Sequence, residues 1–269
     1  IDADFSSVEN RVSAWIAGQT DKVADFAAGK DEYKTFAAAM YEIDYADVSK
    51  HQRQVAKSAV LGGMFGQGWK GLIEYAKGYG VDLDEDRSRE LIDTYRGQYP
   101  KVQALWYACG DAAIDAVETP GQVVEVNAKL TLRSIGGYLT LRLPSGRILY
   151  WYAPRVEMLD TPWGQRKKGI TVMGVNQVTR KFQRQKLIGS SIFQSAVQAT
   201  AADLLIHGVG NVERAGYPVV LLVHDEILAQ VPVGFGDMDE FGRLMCSQPK
   251  WASDLPLAYE AWRGKRFKK

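Results

Sequence analysis

Two acids in succession, Asp225 and Glu226, sit inside the run V-V-L-L-V-H-D-E-I-L-A-Q-V from Val219 to Val231. The flanking apolar stretches are short, rich in Val, Leu and Ile, and entered through Gly216 and Pro218. They predict two buried strands with His224-Asp225-Glu226 at the tip of a tight hairpin. Adjacent carboxylates on rigid strands repel, so the tip suits a cation or a cationic partner; the other reading is a polar turn between core strands. A further acid, Asp4, closes a short strand over residues 1–5. Ser6 and Ser7 make the turn, and Val8, Val12, Trp15 and Ile16 follow at helical spacing with Glu9 on the first turn. Asp4 thus stands at a strand end beside a helix N-terminus, where an Asp also serves as a simple cap.

A different chemistry lies in H-Q-R-Q-V-A-K-S-A-V-L-G-G-M-F, residues 51–65. Arg53, Lys57, Leu61 and Phe65 recur every four residues. On a helix they drift about 40° per step and line one face over roughly 18 Å. Two cations at one end and two apolar side chains at the other match a nucleotide, with phosphates at the cations and sugar and base at the apolar end. An amphipathic core helix with snorkelling Lys and Arg has the same pattern. Gly62 and Gly63 permit close backbone approach at some cost in helix stability.

The elements that must hold these residues are legible in outline. Residues 21–41 read as helical, broken by Gly29-Lys30-Asp31, with Phe26, Tyr33, Phe36 and Met40 as anchors. Residues 67–118 read as further helices interrupted at Pro100. Leu130 to Tyr152 changes to period-two patterning with a hairpin turn at Pro144-Ser145-Gly146. Ser191 to His207 reads as a helix whose Gln194, Gln198 and Ala201-Ala202 form a polar, small-residue stripe.

The chain has 269 residues and a net charge of +1, which conceals a strong asymmetry. From Lys129 to Lys186 there are 12 Lys or Arg against 2 acids, or +10; residues 1–128 carry −8 and residues 187–269 carry −1. Aromatics are interleaved with the basic segment (Tyr138, Tyr150, Trp151, Tyr152, Trp163 and Phe182). That combination suits a polyanion, or else a solvated sheet face. Two cysteines, Cys109 and Cys246, make no disulfide framework and suggest a reducing, intracellular setting. No apolar run of about 18 residues suggests a membrane span. The start at Ile1, within a strand, leads us to expect one piece of a larger polypeptide.

Asp4-Phe5-Ser6-Ser7-Val8-Glu9-Asn10-Arg11, then Arg53 to Lys57 with Gly62 and Phe65-Gly66, then Val223-His224-Asp225-Glu226, resemble in order the three motifs of the DNA polymerase I family (family A). Gln198-Ala199-Thr200-Ala201-Ala202-Asp203 is similar to that family's Q-G-T-A-A-D helix. Leu61-Gly62, Arg184-Gln185-Lys186 and the stretch from Trp251 to Leu257 resemble its bacteriophage and prophage branch. The resemblance covers nearly the whole chain.

It implies an α+β right-hand polymerase fold, with an antiparallel palm sheet and a mainly helical fingers subdomain. Residues 1–18 and 183–269 would be palm, 19–182 fingers with a connecting sheet, and the thumb and 3′–5′ exonuclease would lie outside this chain, on the same polypeptide or a separate one. It also implies template-directed DNA synthesis on primer-template DNA with dNTPs, in the cytoplasm of a bacterial host. Asp4, Asp225 and the Phe5 carbonyl would hold two Mg²⁺ ions, with Mn²⁺ able to substitute. Arg53 and Lys57 would grip the triphosphate, Lys57 as proton donor, with Tyr33 nearby. Leu61 and Phe65 would pack on the nascent pair, and Glu9 would exclude a ribose 2′-hydroxyl. Arg184, Gln194, Gln198, His224 and Glu226 would be DNA-binding or lie beside the metals. Departures from the family pattern are Leu61 in place of an aromatic, Phe65 in place of Tyr, Tyr33 in place of His, and Ser190 where other members have Arg or Gly. A single-subunit RNA polymerase and a DNA-binding fragment inactive without its thumb are the competing readings.

Overall fold

The computed structural model describes residues 1–161 and 164–267. Trp163 of the basic segment and the last two lysines of the tail lie outside the described residues. In chain order the elements are β1 (Asp2–Phe5), α1 (Val8–Ala17), α2 (Thr20–Ala27), α3 (Glu32–Tyr41), α4 (Lys50–Met64), α5 (Trp69–Lys77), α6 (Glu85–Gln98) and α7 (Pro100–Glu118). Then come β2 (Val123–Asn127), β3 (Leu130–Ile135), β4 (Tyr138–Arg142), β5 (Ile148–Asp160), β6 (Arg166–Val175) and β7 (Phe182–Leu187). The chain closes with α8 (Gly189–Arg214), β8 (Val219–Val223), β9 (Glu226–Ala229), α9 (Met238–Met245) and β10 (Tyr259–Trp262). Helices and antiparallel sheets together make this an α+β fold. Among the described residues no helix is long and apolar enough to cross a membrane.

The chain divides into two units. The first comprises residues 1–15, 20–30 and 197 onward; the second comprises 16–19 and 31–196. The first is built on a four-stranded antiparallel sheet in the order β10-β1-β9-β8. Its core holds Phe5, Val12, Phe26, Val212, Tyr217, Ile227, Phe241 and Leu255, all buried. Arg11 is buried as well. Its Nε donates to the Ser6 carbonyl at 2.7 Å, its Nη1 donates to the Pro256 carbonyl at 3.1 Å, and its guanidinium lies 4.7 Å from the Phe26 ring centre. A buried guanidinium needs such acceptors to offset its desolvation.

One expectation is corrected here. The hairpin strands were expected to be buried, yet β8 leaves Val220, Leu221 and Leu222 at 58%, 47% and 40% exposure. β8 is the edge strand, paired on one side only and broken by a bulge between Val219 and Leu221. Apolar composition predicts burial only where a second layer covers the strand. β9, paired on both sides, is buried throughout.

The second unit combines α3 to α7 with the six-stranded antiparallel sheet β2 to β7 in sequence order. Helix starts are chemically marked. Asp31 caps α3 by accepting from Tyr33 N and Lys34 N. Ser49 and Gln52 form a reciprocal capping box on α4, and Pro100 occupies the first turn of α7, where a missing N–H costs nothing. On the sheet's inner face Leu130, Leu132, Leu139 and Leu141 are fully buried, and α7 packs against the sheet. α8 runs farther in both directions than residues 191–207, the span expected from the sequence.

Candidate functional site

Strand β1 lies between β9 and β10, and alternation places Asp2 and Asp4 on one face of it. Register sets Asp4 opposite Glu226 on one side and Glu260 on the other. His224 and Asp225 form a two-residue turn after β8, with His224 at φ 57°. The Phe5 amide donates to the Asp225 carbonyl at 3.2 Å, which ties the hairpin tip to the end of β1. The two predicted acids, 221 residues apart in the chain, are therefore brought together in one sheet.

The electrostatics are those of crowded anions. Desolvation by surrounding protein is the first cause raising the Asp4 pKa, although its side chain is open to solvent; repulsion from Asp225, Glu260 and Glu226 follows. Asp2 is buried and raised to about 7, by burial first and then by its hydrogen bond to, and repulsion from, Glu226. Oxygen donors fit a hard cation in kind. Among the described residues no group of three or more His, Cys, Asp or Glu is arranged to hold a metal. Mg²⁺ takes one or two carboxylates and completes its shell with water or substrate oxygens.

Glu226 is 8% exposed and engaged with Asp2, which sets it apart from residues that would meet DNA. Glu9, on the first turn of α1, is raised by burial and by Asp225, while a hydrogen bond from Gln198 of α8 opposes the rise. The Glu9 carboxylate thus has a donor in Gln198 of its own unit.

In the second unit the face anticipated on α4 is present. Arg53, Lys57, Leu61 and Phe65 are all partly exposed, whereas Val55, Ala56, Ser58, Ala59 and Val60 are buried. Arg53 Nε donates to Asp31 Oδ2 at 2.7 Å, and its guanidinium lies 5.2 Å from the Tyr33 ring centre. Lys57 Nζ lies 5.8 Å from the Tyr33 ring and 5.7 Å from the Tyr79 ring. These aromatic faces steer both cations. Gly63 sits on Tyr95, whose ring a Cβ would meet at 2.6 Å. Tyr95 stacks on Tyr99 with centroids 4.4 Å apart. Trp106 donates from Nε1 to the Met64 carbonyl at 3.1 Å, fixing the helix end.

Gln194 and Phe65 are partly exposed, whereas Gln198 and His224 in the first unit are exposed. Arg184, expected at DNA, donates from Nη1 to the Ala153 carbonyl at 3.0 Å and to Thr171 Oγ1 at 3.0 Å. It secures the bulge that interrupts β5 between Tyr152 and Arg155. Sequence reading missed Asp2, Asp31 and Tyr79. Asp2 was signalled by its spacing of two from Asp4, and Asp31 by its place at a helix start. Tyr79 carried no local signal.

Known proteins resemble this chain along most of its length. Residues 1–123 match the model of DNA polymerase family A. The DNA polymerase of Bacillus phage SP02 is 32% identical over 269 residues, covering 99% of this chain and 41% of that enzyme. DNA polymerase I of Chloroflexus aurantiacus is 24% identical over 86% of this chain and 20% of its own length. The chain therefore spans less than half of either relative. The polymerase domain of Pol1 from M. smegmatis, solved with DNA primer-template and dNTP, superposes with a TM-score of 0.58 at 18% identity, covering 97% of this chain and 38% of that one. That likeness concerns the fold. With the ordered motifs, the family model's match and similarity to the phage enzyme along 99% of this chain in agreement, the chain belongs to DNA polymerase family A.

Proposed function

We propose that this chain carries the nucleotidyl-transfer portion of a template-directed DNA polymerase, which adds dNTPs to a primer 3′-hydroxyl. The observation that carries the reading is the joining of Asp4 and Asp225 through the Phe5-to-Asp225 backbone hydrogen bond at the centre of an antiparallel sheet. Residues 1–18 and 183–269 take the palm role, and 19–182 the role of fingers with a connecting sheet. Asp4, Asp225 and the Phe5 carbonyl are the ligands. When bound there, two Mg²⁺ ions would lower the pKa of the primer hydroxyl and stabilise the departing pyrophosphate, with Mn²⁺ able to substitute.

The chain's own residues do the rest. Arg53, with Nε committed to Asp31, presents its Nη end to triphosphate oxygens. Lys57 neutralises the same phosphates and donates a proton to pyrophosphate as it leaves. Tyr33 orients both cations from the ring side. Leu61 and Phe65 supply apolar surface to sugar and base. Glu9, held by Gln198, fills the space that a 2′-hydroxyl would need. Gln194, Gln198 and His224 contact DNA near the primer end. Arg184 joins that set with the part of its guanidinium beyond Nη1, which is bonded to Ala153 and Thr171, whereas the buried Glu226 is left out of it.

A second reading, DNA binding without turnover, is favoured by the 41% span of the phage relative. In that case a thumb portion would be required in addition. Primer extension with this chain, dNTPs and MgCl2 distinguishes the two. Metal-dependent extension supports the first reading, whereas tight primer-template binding with no extension supports the second. Within the first, Glu9→Ala should raise ribonucleotide incorporation in direct rNTP/dNTP competition. An unchanged ratio would place the sugar gate elsewhere and reopen the RNA polymerase alternative.

A further inference from the structure

The six-stranded sheet has two unlike faces. Register aligns Arg133 with Thr140, Thr140 with Tyr150, and Tyr138 with Tyr152. Alternation then puts Arg133, Tyr138, Arg142, Tyr150 and Tyr152 on the face opposite the buried leucines, and Phe182 on β7 joins them through Val175 and Met173. The inner face is closed by α7. The outer face is open: Tyr138, Tyr150, Tyr152 and Phe182 are 39%, 61%, 49% and 60% exposed. Exposed aromatic side chains gathered on one face are the pattern of a binding face.

The rings are arranged to receive something. Tyr138 meets Tyr150 edge-on, at 6.0 Å and 88°, and Tyr152 at 5.3 Å and 48°. None is stacked flat on another, so ring faces remain open. Charge then selects the occupant. Arg133, whose Nε donates to the Gly121 carbonyl at 2.9 Å, and Arg142 are exposed on this face, and the surrounding segment 129–186 carries +10. Aromatic faces between cations fit a strand whose bases are unpaired and whose phosphates run alongside. A duplex keeps its base faces inside and offers such a surface only phosphates.

We infer that the outer face of this sheet binds single-stranded DNA, stacking bases on Tyr138, Tyr150 and Tyr152 and meeting phosphates with Arg133 and Arg142. The choice of DNA as the strand rests on the polymerase reading; the platform itself rests on the sheet. It lies within one unit and uses none of the residues assigned above to nucleotide or metal.

The test uses the whole chain and a 5′-fluorescein-labelled 20-nucleotide oligo(dT), followed by anisotropy in EDTA. Replacing all three tyrosines by Leu keeps apolar area but removes stacking, and should weaken binding by about 100-fold or more. Replacing them by Phe should restore affinity to within about threefold. Arg133→Gln with Arg142→Gln should reduce the slope of log affinity against log salt by about 1.4. Should the triple Leu protein not fold, as judged by circular dichroism, Tyr150→Leu alone should still cost about tenfold. Wild-type affinity in the folded Leu variants would overturn the inference. So would sedimentation showing that the wild type pairs with itself and that the oligonucleotide fails to dissociate it, which makes the face an interface between copies. Primer extension is scored separately: its absence with tyrosine-dependent oligonucleotide binding intact would remove the polymerase reading and leave the platform standing.

Discussion

The two sheets of this chain use the same antiparallel alternation to opposite ends. In the four-stranded sheet the polar row lies on an inner strand, β1, where neighbours on both sides fix Asp2 and Asp4. In the six-stranded sheet the distinctive row lies on an open face whose reverse is sealed by α7. Groups that must be held against repulsion are placed where two strands constrain them. Groups that must meet a variable strand are placed where nothing covers them. Position within a sheet, more than residue type, separates a reaction site from a binding face.

The strongest way to break this contrast is at the constrained row. Asp4→Asn and Asp225→Asn should each reduce primer extension by on the order of 10³-fold or more in steady-state assays. Oligo(dT) binding should stay unchanged. If either folded variant extends normally, the inner row is structural only. The next effect is smaller and belongs to α4. Lys57→Ala should lower kcat/KM for dNTP by about 100-fold while primer-template affinity moves less than about twofold. Equal losses in both would mean that the helix, and not its charge, was damaged.

A pH titration sharpens the contrast further. Asp2 has a folded pKa of about 7, above its unfolded value, because burial and Glu226 disfavour its charge. Between about pH 4 and 7 the folded state therefore holds a proton that the unfolded state has lost. Without divalent cation, stability should fall as pH rises through this window and level off above it. Asp2→Asn should flatten that part of a urea-denaturation series. A wild-type profile that rises across the window would contradict the Asp2–Glu226 pairing. The smallest effect concerns Asp31. Asp31→Ala should cost about 1 kcal/mol through the lost helix cap. Asp31→Asn should keep the cap and lose only the charge held against Arg53, which shows as a raised KM for dNTP at unchanged melting temperature.

Much of the site could be read locally. The four-residue spacing of Arg53, Lys57, Leu61 and Phe65 needs only helix geometry, and the structure keeps all four on one partly open face. The hairpin around His224-Asp225 was equally plain, because apolar runs flank a polar pair. What remained hidden depends on partners distant in sequence. Nothing near Glu226 announces Asp2, and nothing near Arg53 announces Asp31, 22 residues upstream. Burial of β8 was misjudged for the same reason. Its composition describes the strand, whereas exposure depends on what lies over it. Arg184 was expected at phosphate from its place in a basic segment, and its bond to the Ala153 carbonyl, 31 residues earlier, could not be read from that segment.

The packing of Gly63 against Tyr95 has a consequence for engineering. A glycine inside a helix is normally an invitation to gain about 1 kcal/mol by substitution with alanine. Here the new methyl would meet the Tyr95 ring at 2.6 Å, and at Gly62 it would meet Leu72 and Gln67 at 2.9 Å. The ring cannot yield easily, since Tyr99 and Trp106 flank it. Helix α4 is thus barred from the commonest route to rigidity at Gly63, near the end that carries Leu61 and Phe65. Efforts to make the protein heat-resistant would do better to leave this turn alone and work on the exposed helix surfaces of α5 and α6.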